Sequence, residues 1–151
     1  MGYAERVLQP EEHILHRSYI HWLIYFPGLL WLLAAAAIFA SEAVIQLFDW
    51  LNYVAAVFAL IGLVRLLGAA IRRASTEIAV TNKRLIYKVG IFRRSTIEMN
   101  LHQVESIEVN QSVFGRLFDY GTVIVRGTGS GIEPIRRVGA PLELRSAVTA
   151  Q

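Results

Sequence analysis

Five cations, Lys83, Arg84, Lys88, Arg93 and Arg94, crowd into one short stretch of an otherwise apolar chain. If that stretch forms two adjoining antiparallel hairpins, pairing brings several of the charges together, and the chemistry they suit is neutralisation of an anionic surface. Beside an acidic membrane each such residue contributes about 1 kcal/mol. A solvated basic face fits the same residues equally well, because charged side chains mostly sit in water. Ile91 and Phe92 stand at a turn between Lys88 and Arg93. Two apolar side chains flanked by cations suit dipping into a membrane interface, docking on a partner subunit, or turning inward. Together Lys83, Arg84, Lys88, Ile91, Phe92, Arg93 and Arg94 make the candidate surface for anionic lipid or a protein partner.

The other reactive residue types lack the spacing that chemistry requires. Glu12, His13 and His16 offer a weak cluster on one helical face with no further metal-ligand spacing, and His102 has no acid or nucleophile nearby in sequence. Gly127-Thr128-Gly129-Ser130-Gly131 lacks the Gly-Lys-Ser/Thr ending of a phosphate loop and falls between strands, which makes it a hairpin tip. No paired carboxylates, Ser-His-Asp set or zincin motif is present. The chain has no cysteine, which excludes a disulfide framework, a thiolate metal site and a palmitoyl or prenyl anchor. The expectation is a protein that is not an enzyme and carries no cofactor and no metal.

The elements that must position these residues begin with the composition. Of 151 residues, 54% are hydrophobic and 18% charged, with a mean hydropathy of +0.43, too apolar for an ordinary soluble domain. Ile20 to Ala40 holds no formal charge, and Leu51 to Ile71 holds only Arg65, near its end, where the long stem can snorkel. Each run is long enough to cross about 30 Å of hydrocarbon as a helix. Residues 20–71 therefore read as a transmembrane hairpin with an outer connector at 41–50. That connector carries Glu42 and Asp49 and no Lys or Arg, whereas Arg6, Arg17, Arg72 and Arg73 flank the spans, so the positive-inside rule places both termini in the cytoplasm. The first run is too long for the apolar core of a signal peptide, and Arg6 stands where a myristoylation signal needs Ser or Thr. Pro27 followed by Gly28 predicts a kink in the first helix. Ala36 and Ala40, and Ala55 and Ala59, sit four apart and are the candidate helix-packing positions.

Charge is divided unevenly along the chain. Residues 1–71 carry three Arg against five acids, and residues 72–151 twelve Lys or Arg against seven. A basic half tied to a membrane half meets anionic headgroups before it meets nucleic acid, so no nucleic-acid partner is expected. After Ile71 the pattern changes to alternation with turn residues every six to ten positions. It predicts strands at 76–81, 84–89, 93–99, 104–111, 121–126 and 132–138 and a closing helix from Leu142 to Thr149, led by Pro141. Asn82-Lys83 suits the first tight turn through the tolerance of Asn for positive φ. The fold class is an α+β membrane protein: a lead-in at 1–19, the hairpin at 20–71, and a sheet or split barrel with a helical cap at 72–151.

Several of these residues carry a resemblance. Val80-Thr81-Asn82-Lys83-Arg84-Leu85-Ile86, then Gly90, then Leu101 to Val109, then Gly115-Arg116 and Tyr120-Gly121-Thr122, in that order, resemble the bacterial pleckstrin-homology-like domain of the membrane-flanked-domain family. Leu8 to Leu15 and His21-Trp22 resemble the lead-in that precedes two spans in such proteins. The resemblance implies a cytoplasmic PH-like domain on a helical hairpin in the bacterial inner membrane. The roles implied for such a domain are protein binding or oligomeric scaffolding, anionic-lipid recognition or handling, or service as an accessory subunit of a larger membrane complex. Its implied partners are membrane lipids, copies of the chain and other membrane subunits. Eukaryotic PH domains bind phosphoinositides at the first hairpin with a tighter basic alternation, which this chain does not reproduce.

Overall fold

The structure, a computed structural model, describes residues 3–45, 50–90, 95–128, 130–131 and 134–150. In chain order, helix α1 (Tyr3–Arg6) and strand β1 (Ile14–Ser18) precede a 3-10 turn (Trp22–Tyr25), helix α2 (Phe26–Ile45) and helix α3 (Trp50–Ser75). Strands β2 (Glu77–Thr81), β3 (Arg84–Val89) and β4 (Ser95–Asn100) follow, then a 3-10 turn (Leu101–Gln103) and β5 (Val104–Asn110). Helix α4 (Val113–Leu117), strands β6 (Tyr120–Gly127), β7 (Ser130–Gly131) and β8 (Ile135–Gly139), and helix α5 (Pro141–Thr149) complete the chain. Two units result: Trp22–Ile71, and a second that joins the residues up to His21 to those from Arg72 onward.

In the helical unit, α2 and α3 supply two helices long and apolar enough to cross a membrane. The α3 helix continues past the expected end at Ile71 through Arg72 and Arg73 to Ser75. Pro27 does not kink a helix interior. It falls in the first turn of α2, after the 3-10 turn ends at Tyr25, where a missing amide costs no intrahelical bond. The seam between α2 and α3 runs through glycines. A Cβ on Gly28 would lie 2.8 Å from Leu66 Cδ2, and one on Gly62 would lie 2.8 Å from Leu32 Cδ2. Trp31 meets Phe58 edge-on at 4.9 Å. Of the expected packing alanines Ala55 is buried and Ala59 half-buried, but Ala36 and Ala40 are exposed, and Ala35 is the buried alanine of α2. The shift of one position follows from helical rotation, because the seam is set by Gly28 and passes Leu32 and Ala35 at spacings of four and three.

In the sheet unit, four antiparallel strands run in the order β1-β2-β3-β4, and a second antiparallel sheet has β6 at its centre, paired with β5 on one side and with β7 and β8 on the other. Alternation puts Val80 opposite Leu85 and Leu85 opposite Met99, all buried. Val123, Val125, Ile135 and Val138 of the second sheet are buried as well. The α5 helix packs on β1 and β2 of one sheet and on β5 and β6 of the other, burying Leu144 and Val148. This is an α+β architecture of two antiparallel sheets closed by a C-terminal helix.

The lead-in departs from expectation. Residues 1–19 read as a separate stretch in sequence, yet Ile14–Ser18 forms the edge strand of the first sheet, with Arg17 opposite Ala79 and Ser18 opposite Ile78. The same strand continues into the second sheet. Ile20 bridges to Val138, Gly139 N donates to Tyr19 O at 3.0 Å, and His21 N donates to Arg137 O at 2.7 Å. Thus one segment before the hairpin stitches together two sheets made mostly of residues after it.

Candidate functional site

Of the described members of the candidate surface, Arg84 and Lys88 lie on β3 and Lys83 in the turn before it. Arg84, Ile86 and Lys88 alternate onto one face of β3, opposite Asn100, Glu98 and Thr96 of β4. That face is covered. The N-terminal segment from Tyr3 to Ile14 lies across it, and Ala4 packs on Ala79 and Ile86 with Tyr3, Val7 and Ile14 around them.

Each described cation of the surface is engaged by this strap. Arg84 grips Glu12 with two parallel bonds, Nε to Oε1 and Nη2 to Oε2, both 2.9 Å. Its Nη2 also donates to Val7 O at 2.8 Å and its Nη1 to Glu98 Oε2 at 2.6 Å. The Glu12 side chain is 0% exposed and that of Arg84 13%. Glu12 accepts further bonds from the Thr81 hydroxyl and the Gln9 amide, each at 2.8 Å. Lys83 Nζ donates to Pro10 O at 3.1 Å, and Lys88 Nζ sits 4.7 Å from the centre of the Tyr3 ring. Glu77 anchors the far end by accepting from Tyr3 N at 2.7 Å. Arg17 pairs with Glu5 at 2.6 Å, which raises its affinity for its proton.

Burial alone would push the Glu12 carboxyl up. The hydrogen bonds from Arg84, Gln9 and Thr81 and the Arg84 charge outweigh it and hold the group below its ordinary value. Arg84 is raised by its bond to Glu12, against the cost of its burial. An ion pair this well matched holds structure together and leaves no open fork for a lipid phosphate. Glu12 is accordingly a partner of Arg84, while His13 donates its amide to Asn82 Oδ1 at 3.1 Å and the His16 ring bonds Ser18 at 3.0 Å. Among the described residues no group of His, Asp and Glu has the geometry to hold a metal ion.

The first turn comes where expected, by a different device. Asn82 does not adopt positive φ. Instead the Thr81 hydroxyl accepts from Lys83 N at 3.2 Å and Arg84 N at 3.0 Å, closing the turn from the side. Gly90 does adopt φ 94 at the start of the second turn. Ile91, Phe92, Arg93 and Arg94 lie outside the described residues, as do Gly129 in the hairpin tip and Phe48 and Asp49 in the connector.

One feature has no counterpart among the expected sites. Five residues after β5 form α4, capped by Ser112, whose Oγ accepts from Gly115 N at 3.0 Å. It presents Val113 at 83% exposure, Phe114 at 67% and Leu117 at 74%. Gly115 lets α4 lie close to β6, since a Cβ there would stand 2.7 Å from Tyr120 O. The signal for it in the sequence is Ser112 ahead of Val113-Phe114 and Leu117-Phe118, two apolar pairs four apart on a segment too short to show a helical period.

Two antiparallel sheets with a C-terminal helix, joined in sequence to an apolar helix pair, define a PH-like module with a candidate membrane anchor. Residues 23–151 match the family model of the bacterial PH domain, and the chain belongs to that family. The match includes the helix pair and leaves β1 and the strap outside it. No curated protein and no solved structure matches the chain.

Proposed function

We propose that this chain is a non-catalytic membrane protein of the membrane-flanked type, whose PH-like unit binds protein partners, copies of itself included, at the cytoplasmic face of a bacterial inner membrane. The observation that carries this reading is a pair of open sheet edges. Among the described residues β4 pairs only with β3, and β5 only with β6, and the two strands are consecutive in the chain. Open edges accept a further strand from a partner. The cations that would favour lipid on the first hairpin are meanwhile engaged by the strap.

Membrane placement is supported by composition and connectivity. The α2 and α3 helices expose Leu30, Leu33, Leu60, Leu63 and Leu67, a pattern that suits lipid. Because β1 and β2 pair directly, the chain must leave and re-enter the sheet unit on one side of any bilayer, as two spans require. Arg6, Arg17, Arg72 and Arg73 favour the cytoplasm for that side.

The full chain in mild detergent, examined by mass photometry and by co-purification, tests the reading. Higher-order species or a partner in fixed stoichiometry are expected. Leu101 N donates to Lys83 O at 3.1 Å, so alternation turns the amides of Thr96 and Glu98 outward. Thr96→Pro should therefore weaken assembly while leaving β4 on β3. A monomer with no co-purifying protein would overturn the proposal.

A further inference from the structure

Arg137 is the one residue of β8 with φ in the left-handed region, at 61°. The pairing of β6 with β8 passes from Gly121 opposite Val138 to Val123 opposite Ile135, so Arg136 and Arg137 share the single position Thr122. This is a β-bulge. Bulges re-aim a side chain, and a non-glycine residue held at positive φ marks a place where the fold tolerates strain. The Arg137 side chain lines a cavity of about 370 Å³ together with Asn110, Gln111, Ser112, Tyr120 and Thr122.

Among the described residues the Arg137 guanidinium has no ion pair and no hydrogen bond. The Thr122 hydroxyl is likewise uncommitted, and the Ser112 hydroxyl, which accepts from Gly115 N, keeps its proton free to donate. A cation and two hydroxyls at one cavity can donate to the oxygens of a phosphate ester. Ser112 passes directly into the exposed Val113 and Phe114 of α4, so the cavity adjoins an apolar projection.

Both features converge on one residue. The His21 ring stacks on the Tyr120 ring at 5.4 Å, and its amide donates to Arg137 O at 2.7 Å. His21 is the last residue of the sheet unit before the helical unit opens at Trp22. A cavity for phosphate, an apolar projection beside it, and the point where the chain departs for the anchor therefore share one corner of the sheet unit.

We propose that the Arg137 cavity and α4 form a single site for an anionic phospholipid, with Arg137, Ser112 and Thr122 taking the phosphate and Val113, Phe114 and Leu117 seated among the acyl chains. This rests on the reading that the hairpin is in a membrane, and the test separates the two. The full chain lacks cysteine, so Val113→Cys and Leu33→Cys each carry one fluorophore after reconstitution into phosphatidylcholine vesicles doped with phosphatidylglycerol. Lipids brominated high on the acyl chain serve as contact quenchers.

The expected result is quenching at Val113→Cys that is stronger with brominated phosphatidylglycerol than with brominated phosphatidylcholine. Arg137→Asn should abolish the preference while preserving the fold, because Asn accepts the left-handed conformation, and Phe114→Ser with Leu117→Ser should lower quenching by both lipids. Equal quenching by both lipids, unchanged by Arg137→Asn, would overturn the headgroup site. No quenching at Val113→Cys with quenching at Leu33→Cys would overturn the lipid site and leave the anchor standing. No quenching at Leu33→Cys would remove the anchor and the site together. Displacement of phosphatidylglycerol contact by inorganic phosphate alone, with no lipid preference remaining, would assign the cavity to a free phosphate and overturn the proposal as stated.

Discussion

On the outer face of the first sheet Lys83, Arg84 and Lys88 each have a partner in the strap, and Ile86 and Ala79 are sealed beneath Ala4. Around α4 the same kinds of residue are left open: Val113, Phe114 and Leu117 face outward, and Arg137 has a strained backbone and a side chain with no ion pair or hydrogen bond among the described residues. Cations and apolar groups that find each other within the chain stabilise it. Those that are held apart from any internal partner remain available to something else. Clustered charge in a sequence is thus a poor guide to available charge, since a carboxylate, a carbonyl and a ring elsewhere in the chain can each claim a cation.

The sharpest way to break this contrast is to strip the strap of its ion pair. Arg84→Met leaves Glu12 buried and unpaired, and should lower unfolding stability by about 3–5 kcal/mol, measured by denaturant titration of the detergent-solubilised chain. Replacing Glu12 by Met in the same background should restore most of the loss, because the penalty is an orphaned charge and not a missing contact.

Acid tests the same pair without a mutation. The Glu12 carboxyl is held below its ordinary value in the fold, so it binds fewer protons folded than unfolded. Its contribution is complete above about pH 4.3, the ordinary titration of a glutamate, and is lost as pH falls through the lowered folded value. Thermal stability should therefore fall in acid more steeply for the parent chain than for Glu12→Gln.

A third change sharpens the comparison at the other end of the strap. Tyr3→Ala removes the ring over Lys88 and part of the cover on Ile86, and should cost about 1–3 kcal/mol by the same titration. The smallest effect belongs to α4. Phe114→Ser with Leu117→Ser should move stability by no more than about 0.5 kcal/mol per site, because both side chains are exposed. If that pair proves as damaging as Arg84→Met, α4 is part of the core and the contrast fails.

Much of the sheet was legible because its strands alternate. Ile78, Val80 and Leu85 stand two apart or across a short turn, and Pro141 marks the closing helix with its fixed φ. Legibility stopped where partners are remote or elements are short. Ile14–Ser18 reads ILHRS, with no clean alternation, and its partner lies beyond the whole hairpin. Arg84 looked available because Glu12, 72 residues away, is its partner only in three dimensions. Ala36 and Ala40 have the spacing of a packing face but stand exposed, whereas the close approach falls at single glycines, Gly28 and Gly62, which no spacing announces. The Arg137 bulge carries no glycine to announce it, so the left-handed turn that aims this side chain was invisible in the residue types.

The placement of β1 ahead of the hairpin also sets a schedule for biosynthesis. Glu12 emerges from the ribosome 69 residues before Thr81, its hydrogen-bond partner. At about 5–20 residues per second, the strap waits several seconds with Ala4, Val7 and Ile14 uncovered. Throughout that interval the apolar runs are being delivered to whatever receives them. If the helix pair spans a membrane as proposed, the sheet can close only when β2 returns to the compartment in which β1 was left, so a chain inserted with the wrong number of crossings keeps an unfinished sheet. On the proposed topology, completion of the domain reports on insertion: a chain whose β1 and β2 lie apart is left with an unfinished sheet that a protease can find.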